Sequence, residues 1–282
     1  MTKILLLSLI LILSACQAEP LASPSTPTAA SPAATQTPVP TQTPTRTNTP
    51  TSIPLPSQTP TPVFEVCSPL EDETFESLPL ILVNPLNIPP NFGQDTGHHG
   101  VDFAYFRRGD RISIEGIEIY AILRGHTVIT LTEDDIPYGY ALLIESPLSD
   151  LPEQIQEILL AGYKPVPEDP NYRLYCPAVS APEQSGEFSI YHLYAHLENP
   201  SELHFGEPIT CGQTLGTVGN TGYSSNPHLH LETRLGPAGA TFKSMAHYEN
   251  TNTPEQMGNY CLWRMSGYYQ LFDPFILFDA VQ

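Results

Sequence analysis

Basic residues are scarce in this chain. It carries 11 Lys and Arg against 30 Asp and Glu, which gives a formal net charge of −19 at pH 7. Proteins that capture nucleic acid or another polyanion electrostatically neutralise its phosphates with clusters of Lys and Arg. The composition therefore argues against nucleic acid as a partner.

A hydrophobic run long enough to cross a membrane is missing from the N-terminus. After the basic Lys3, the apolar run from Ile4 to Leu13 is shorter than the about 20 residues that a membrane span needs. The small residues before Cys16 resemble the lipobox of a bacterial lipoprotein signal, which predicts a signal peptide over residues 1–16. The resemblance implies export, lipidation of Cys16 and membrane anchoring in the cell envelope. A plain secretory signal is the alternative, and the membrane leaflet stays open.

Charge and large apolar side chains are nearly absent from residues 17–63, which consist mostly of Pro, Thr, Ser and Ala. Such a composition cannot bury a core, and its prolines favour extended backbone. The segment is predicted to be a disordered tether, on the order of 100 Å long at ~3.1 Å per residue. Residues 64–282 remain for one folded domain, which is long enough to bury its own core.

Cys-x-x-Cys pairs, which are typical of structural zinc sites, do not occur in this sequence. Apart from Cys16 there are four cysteines, and an even number in an exported chain predicts two disulfides. Three pairings are possible, and the sequence does not choose among them. The residues concerned are Cys67, Cys176, Cys211 and Cys261.

Short segments with strand character recur along the folded domain, separated by turns rich in Gly, Asp and Pro. Residues from about 147 to 184 interrupt them with a helical pattern around 151–160, which predicts a partly helical insertion at the surface. The fold class is therefore predicted to be mainly β. The predicted strands are Arg111 to Ile114, Gly116 to Leu123, Thr127 to Thr132, Tyr138 to Glu145, Phe188 to His196, Pro208 to Thr210 and Thr214 to Val218.

The stretch Pro227 to Glu232 places two imidazoles and a carboxylate on one face of a strand, because alternate residues share a face. Leu229 and Leu231 then point the other way, into a core. A second segment, Gly97 to Asp102, supplies a His and an Asp four residues apart around a glycine, which we expect to let the backbone bend.

Three motifs follow one another in a fixed order. They are His98-x-Gly-x-Asp102, Tyr194-Ala195-His196-Leu197, and the Gly-rich stretch from Gly212 to Gly222 that leads into His228-x-His230. This ordered set resembles the lysostaphin and LytM-type zinc metallopeptidases over residues 97–232, with the insertion set aside. The resemblance implies an antiparallel β-sheet domain with a groove across one sheet.

The same resemblance implies a role for each motif residue. His98, Asp102 and His230 would bind one Zn²⁺, and His196 and His228 would be the unbound catalytic histidines. Two neutral imidazoles and a carboxylate leave an open position for water, as in catalytic zinc sites. Which of the two catalytic histidines acts as the base stays open.

Other residues near the motifs receive weaker expectations. Glu232 lies on the ligand face as a possible partner for a ligand, and Tyr194 is either core or substrate-facing. His99 would point away from the site in an extended segment and is left without a role. The remaining histidines match no motif and are treated as ordinary: His126, His192, His204 and His247.

The function implied is a membrane-anchored zinc endopeptidase that hydrolyses peptide stems or cross-bridges of peptidoglycan. The alternative is a catalytically silent LytM-like module that binds cell wall or regulates another hydrolase. A zinc peptidase that acts on proteins or small peptides is a third possibility. Neither the bond cleaved nor the oligomeric state follows from the sequence.

Overall fold

The computed structural model describes residues 64–183 and 185–281. The predicted signal peptide, Cys16 and the predicted tether lie outside the described residues, so their assignments stay predictions. Within the described part of the chain, no helix has both the length and the apolar character needed to cross a membrane.

Antiparallel β-structure dominates the described residues, as the sequence predicts. An eight-stranded sheet has the order β1-β2-β9-β6-β5-β4-β7, with β10 paired to β9, and β3 and β8 form a separate two-stranded sheet. The strands are β1 Leu82–Asn84, β2 Val101–Phe103, β3 Glu118–Tyr120, β4 Gly125–Leu131, β5 Ala141–Pro147, β6 Phe188–Ala195, β7 Pro208–Ile209, β8 Thr214–Thr217, β9 Leu229–Pro237 and β10 Gln270–Leu271.

Four α-helices and two 3-10 turns accompany the strands. The capping box at Thr253 and Gln256 begins the longest helix, because each side chain accepts a hydrogen bond from the other residue's backbone N–H. The α-helices are α1 Leu78–Ile81, α2 Glu153–Gly162, α3 Pro254–Arg264 and α4 Phe275–Phe278, and the 3-10 turns are Leu148–Asp150 and Asp279–Val281.

The large sheet is covered on both faces. One cluster of buried apolar residues includes Leu229 and Leu231 of β9, so these leucines point into a core as predicted. A second cluster contains Leu193 of β6 together with Tyr260 and Trp263 of α3. A strand such as β9 is therefore buried along its whole length, and its polar face lies under α3 rather than in water.

The predicted insertion is partly helical, as expected, and it is also anchored in the core. Helix α2 buries Ile155 and Leu159 in the same cluster as Leu229. Beyond the helix, Cys176 forms a disulfide with Cys261 of α3. The insertion thus contributes to packing on one face of the sheet and is covalently joined to the helix that covers the other.

One predicted strand is wrong. Arg111 to Ile114 forms no strand, because Arg111 pairs only with Arg108 across a tight turn. Its side chains alternate in exposure less than the pattern suggests: Ile114 is fully buried, whereas Ile112 is 72% exposed. A short run of β-branched residues satisfies strand periodicity without a neighbouring strand to pair with.

Candidate metal centre and catalytic cleft

Three neighbouring segments of the large sheet bring the predicted metal ligands together. Asp102 of β2 lies directly opposite His230 of β9 in the strand register, and His98 lies just before β2, bridged to Asn87. The glycine between His98 and Asp102 has a different role from the one expected. A Cβ on Gly100 would lie 2.6 Å from the Leu231 carbonyl oxygen and 2.9 Å from the His230 ring. Gly100 therefore permits close approach of two strands rather than a bend.

The donor atoms of the three residues form a nearly equilateral triangle. His98 Nε2 lies 3.0 Å from Asp102 Oδ1 and 3.2 Å from His230 Nδ1, and His230 Nδ1 lies 2.8 Å from Asp102 Oδ1. Ligand atoms around a tetrahedral Zn²⁺ at about 2.0–2.1 Å lie about 3.3 Å apart. Triangle size and donor chemistry thus both fit a zinc ion.

Each donor is oriented by a contact on its far side. His98 Nδ1 lies 3.0 Å from the Pro85 carbonyl oxygen, and His230 Nε2 lies 3.3 Å from Glu232 Oε1. Both outer nitrogens therefore carry the hydrogen, which leaves the inner nitrogens as lone-pair donors. The Asn84 amide donates to Asp102 Oδ2 at 3.0 Å, which leaves Oδ1 for the centre.

Glu232 is fully buried beside the triangle, in the supporting position suggested by the sequence. Tyr138 Oη donates to its Oε1 at 2.9 Å, and Trp263 Nε1 donates to its Oε2 at 3.0 Å. Arg234 adds two contacts to Oε2, at 2.9 Å from Nε and 2.8 Å from Nη2. Burial would raise the pKa of Glu232, but Arg234 and the hydrogen bond from His230 hold it well below its usual range.

The charges of the cluster call for a cation. Burial opposes ionisation of Asp102, yet hydrogen bonds from His230 and His98 keep the Asp102 pKa far below its ordinary value. Burial also lowers the pKa of His230, but the hydrogen bonds to Asp102 and Glu232 outweigh it and raise that pKa to about 9. Two buried carboxylates around one imidazole thus hold either a proton or a metal ion.

The two predicted catalytic histidines lie beside the triangle. His196 directly follows β6 and His228 directly precedes β9, and their ring centroids are 4.6 Å apart. His228 Nε2 lies 3.5 Å from Asp102 Oδ1. Because β6 and β9 are antiparallel neighbours, the end of one and the start of the other meet at the same edge of the site.

Each of these histidines has one nitrogen held by a backbone carbonyl. His196 Nδ1 lies 2.8 Å from the Thr221 oxygen, and His228 Nδ1 lies 2.8 Å from the Asn226 oxygen. Since a carbonyl only accepts, Nδ1 carries the hydrogen in both rings and Nε2 keeps its lone pair. Burial, with smaller contributions from His230 and His228, lowers the pKa of His196 to about 3, so this ring is neutral at pH 7.

The five residues line one cavity of about 320 Å³. Side-chain exposure ranges from 8% at His230 to 18% at His98, so the donors are reachable from solvent without being open surface. Asn84, Tyr138 and Arg264 also line it, and sequence inspection singled out none of them. Asn84 reaches the site through strand pairing with Asp102, a relation that no local motif encodes.

The other singled-out residues lie elsewhere. Tyr194 is a core residue, since its hydroxyl accepts a hydrogen bond from the Ile122 N–H at 2.8 Å and is fully buried. His99 points away from the cleft, toward Arg234. The four cysteines of the folded domain pair as Cys67–Cys211 and Cys176–Cys261. The four histidines without a motif lie outside the cavity lining: His126, His192, His204 and His247.

Solved structures with a similar arrangement share little sequence with the chain. The catalytic domain of lysostaphin from Staphylococcus simulans is 16% identical, over 74% of this chain and 99% of that one, with a TM-score of 0.36. A zinc-containing peptidase from Vibrio cholerae is 19% identical, over 60% of this chain, with a TM-score of 0.29. The prophage-encoded M23 protein EnpA from Enterococcus faecalis is 17% identical, over 56% of this chain and 82% of that one, with a TM-score of 0.32.

The matched region is only part of some of these proteins. The chain spans 33% of the Vibrio cholerae peptidase and 48% of an M23 peptidase from Pseudomonas aeruginosa. No curated protein sequence matches the chain.

Family comparison gives the clearer result. Residues 183–242 match the model of peptidase family M23. The match contains His196, His228 and His230, and the strand register places Asp102 against it from outside. The resemblance to LytM-type peptidases that the motifs predict is therefore confirmed, and the chain carries a segment of peptidase family M23.

Proposed function

We propose that this protein is a zinc metalloendopeptidase that hydrolyses peptide stems or cross-bridges of peptidoglycan. The observation that carries the proposal is the donor triangle of His98, Asp102 and His230, with inward lone pairs and two further imidazoles in the same cavity. The M23 family match supports peptide hydrolysis. Peptidoglycan as the substrate comes from the resemblance to lysostaphin and LytM-type peptidases.

His98, Asp102 and His230 would hold the ion. Bound there, Zn²⁺ supplies a Lewis acid that polarises a carbonyl and lowers the pKa of a bound water toward neutrality. Asn84 and Glu232 keep the donor atoms aimed inward by their hydrogen bonds to Asp102 and His230.

The free nitrogens of His196 and His228 would move the proton. With Nδ1–H donated to a backbone carbonyl, each ring presents Nε2 to the cleft as a proton acceptor. His228 Nε2 is 3.5 Å from a donor atom of the triangle, so we assign it the proton taken from the water and passed to the leaving amine. His196 is then the second imidazole beside the scissile bond.

The complete residue set favours an enzyme over a silent wall-binding module. A module that only binds peptide has no need of three oriented donors and two further imidazoles in one cavity. Elemental analysis of the protein after expression with added zinc separates the two functions. One equivalent of zinc supports the enzyme, whereas a metal-free protein would support the silent module.

A second candidate substrate class is favoured by one observation. A cavity of about 630 Å³ continues from the cleft, with Asp102, Ser225 and His228 in both linings. Its wall carries Phe106 and Ile112, which are 86% and 72% exposed. Such a wall suits an apolar side chain next to the scissile bond, as in a protein or peptide substrate.

Product analysis tests the reaction and the substrate together. The purified protein is incubated with defined muropeptides, glycine-rich peptides and casein, with and without a chelator, and products are identified by mass spectrometry. Chelator-sensitive release from muropeptides is the expected result. Release that survives both chelation and His230→Ala would overturn the zinc mechanism, and cleavage of casein alone would move the substrate to proteins.

Membrane anchoring completes the proposal. The lipobox before Cys16 and the Pro/Thr-rich residues 17–63 support a lipoprotein held at the cell envelope through a flexible reach. Metabolic labelling with a fatty-acid analogue tests it. Label that is lost in Cys16→Ala is the expected result, and label that persists in that variant would contradict lipidation at Cys16.

A further inference from the structure

A second cavity lies away from the catalytic cleft, beneath the insertion. Its volume is about 390 Å³, and its walls come from residues 88–94, the end of α2 and residues 267–271. Three basic side chains line it, Lys164, Arg234 and Arg264, and no Asp or Glu is among its described lining residues. In a chain with 30 acidic and 11 basic residues, this lining is unusually basic.

A buried donor in this cavity has no partner. Arg234 Nη2 lies 3.0 Å from His99 Nδ1, and since a guanidinium only donates, Nδ1 is the acceptor and Nε2 carries the hydrogen. Within the described residues, His99 Nε2 has no hydrogen-bond partner. The nearest carboxylate oxygen, Asp95 Oδ1, is 3.8 Å away, beyond hydrogen-bond reach. His99 is 1% exposed, so this donor is left unsatisfied.

The charges around the cavity favour an anion. Arg234 pairs with Glu232, and Arg264 pairs with Asp95 at 2.7 Å, so both carboxylates lie behind the arginines rather than in the lining. Lys164 is exposed at the rim and adds a positive charge. A bound carboxylate would accept from His99 Nε2 and lie close to three cationic groups.

The remaining wall is apolar. Phe92, Tyr269 and Leu271 line the cavity beside the basic residues, and the volume lies within the range of small-molecule sites. The wall formed by the insertion is held in place. Lys164 N donates to Gln270 Oε1 at 2.8 Å, and Gln270 Nε2 donates back to the Lys164 carbonyl oxygen at 2.7 Å. The cavity is therefore preformed for a ligand with a charged end and an apolar body.

We propose that this cavity binds a small carboxylate with an apolar body, such as the C-terminal carboxylate of a peptide, through His99 Nε2–H, Arg264 and Lys164. The site is distinct from the metal centre and does not depend on peptide hydrolysis. Its ligand would lie behind the strand segment that carries His98, since His98 and His99 point to opposite sides.

Isothermal titration calorimetry of the zinc-loaded protein tests the site with chosen probes. N-acetylalanine represents a peptide C-terminus, acetate represents a free carboxylate, and N-acetylalaninamide has the same body without charge. We expect saturable 1:1 binding of N-acetylalanine, weaker binding of acetate and none of the amide. The absence of saturable binding, or equal binding of the amide, would overturn the proposal. Preference for acetate would point to a free anion rather than a peptide end.

Substitutions at the rim locate the site without disturbing the buried cluster. A Cβ on Gly162 would meet nothing within 4 Å, and the residue lines the cavity at the end of α2. Gly162→Phe is expected to block entry, and Lys164→Met to lower affinity about tenfold through loss of one charge contact. The matched controls are Gly258→Phe, where a Cβ is equally free, and Lys243→Met, an exposed lysine elsewhere.

Carboxylates also bind zinc, so the metal centre needs its own comparison. Binding of N-acetylalanine that persists in metal-free protein and disappears in Gly162→Phe places the ligand in the second cavity. Binding that needs the metal and survives Gly162→Phe would overturn the proposal, as would equal losses in the two control variants. Zinc content, measured for every variant, shows that the fold around the metal centre is kept.

Discussion

The four histidines of the cleft fall into two pairs that are held differently. In the ligand pair, His230 leans on the buried carboxylate of Glu232 and also contacts Asp102. In the second pair, His196 and His228 each lean on a neutral backbone carbonyl. A carboxylate partner supplies charge as well as direction, whereas a carbonyl supplies direction only. The difference marks which imidazole serves a cation and which are left to exchange protons.

The largest expected effect is at the ligand pair. His230→Ala removes one corner of the donor triangle and leaves Asp102 and Glu232 without the group between them. We expect the variant to lose zinc and to have no activity above background. Inductively coupled plasma mass spectrometry of the purified variant checks the metal, and one equivalent of retained zinc would contradict the ligand assignment.

The second pair should separate binding of the metal from turnover. His228→Ala and His196→Ala leave all three donors in place, so zinc content should match that of the unmodified protein. Loss of a proton-transfer group is expected to lower kcat by about 100- to 10,000-fold. Steady-state kinetics on a defined peptide measures it. If both variants lost metal as His230→Ala does, the division into two pairs would be wrong.

A smaller effect is expected when the charge behind His230 is removed. Glu232→Gln keeps the size of the side chain but takes away the carboxylate that His230 and Arg234 share. We expect zinc affinity to fall by about 10- to 100-fold, as for other groups that orient a metal ligand. Competition with a chromogenic chelator measures the affinity. Glu133→Gln, at an exposed residue, is the control, and equal affinities in the two variants would contradict a role for Glu232.

His192 offers a buried histidine whose partners are all neutral. Its Nε2 lies 2.9 Å from Ser146 Oγ, and its Nδ1 lies 2.9 Å from Tyr194 Oη. Burial lowers the pKa of His192 from 6.5 to about 3, so the folded protein binds fewer protons than the unfolded chain between these pH values. Its stabilising contribution is therefore complete above pH 6.5 and is lost as the pH falls toward 3.

The expected loss from this one residue is about 2 kcal/mol between pH 7 and pH 5. Urea unfolding of the protein and of His192→Gln across this range measures it, with both saturated with zinc. The free energy of unfolding should fall less with acidification in the variant. Parallel pH profiles would show that His192 is not held neutral.

The metal ligands were predictable because their motifs are local. In His228-x-His230 and His98-x-Gly-x-Asp102, spacing along the chain fixes which residues share a face or a turn. The core positions of Leu229 and Leu231 followed from the same alternation. The predicted helix in the insertion was also correct, since its apolar residues recur at helical spacing.

Features that depend on pairing between distant segments were not predictable. Asn84 contacts Asp102 because β1 pairs with β2, and the support around Glu232 needs Trp263 from α3. The choice among three disulfide pairings likewise depends on the folded chain. The false strand at Arg111 to Ile114 shows the converse, since periodicity describes a segment and says nothing of its neighbours.

The disulfide Cys67–Cys211 has a mechanical consequence for a chain that is held at one end. Any pulling force that arrives through the residues before Phe64 meets Cys67 three residues later. The covalent bond to Cys211 passes that load to the turn between β7 and β8, 144 residues further along the chain. Tension on the attached end would then be borne by a covalent bond, and the strands that position the cleft would not be peeled away one by one.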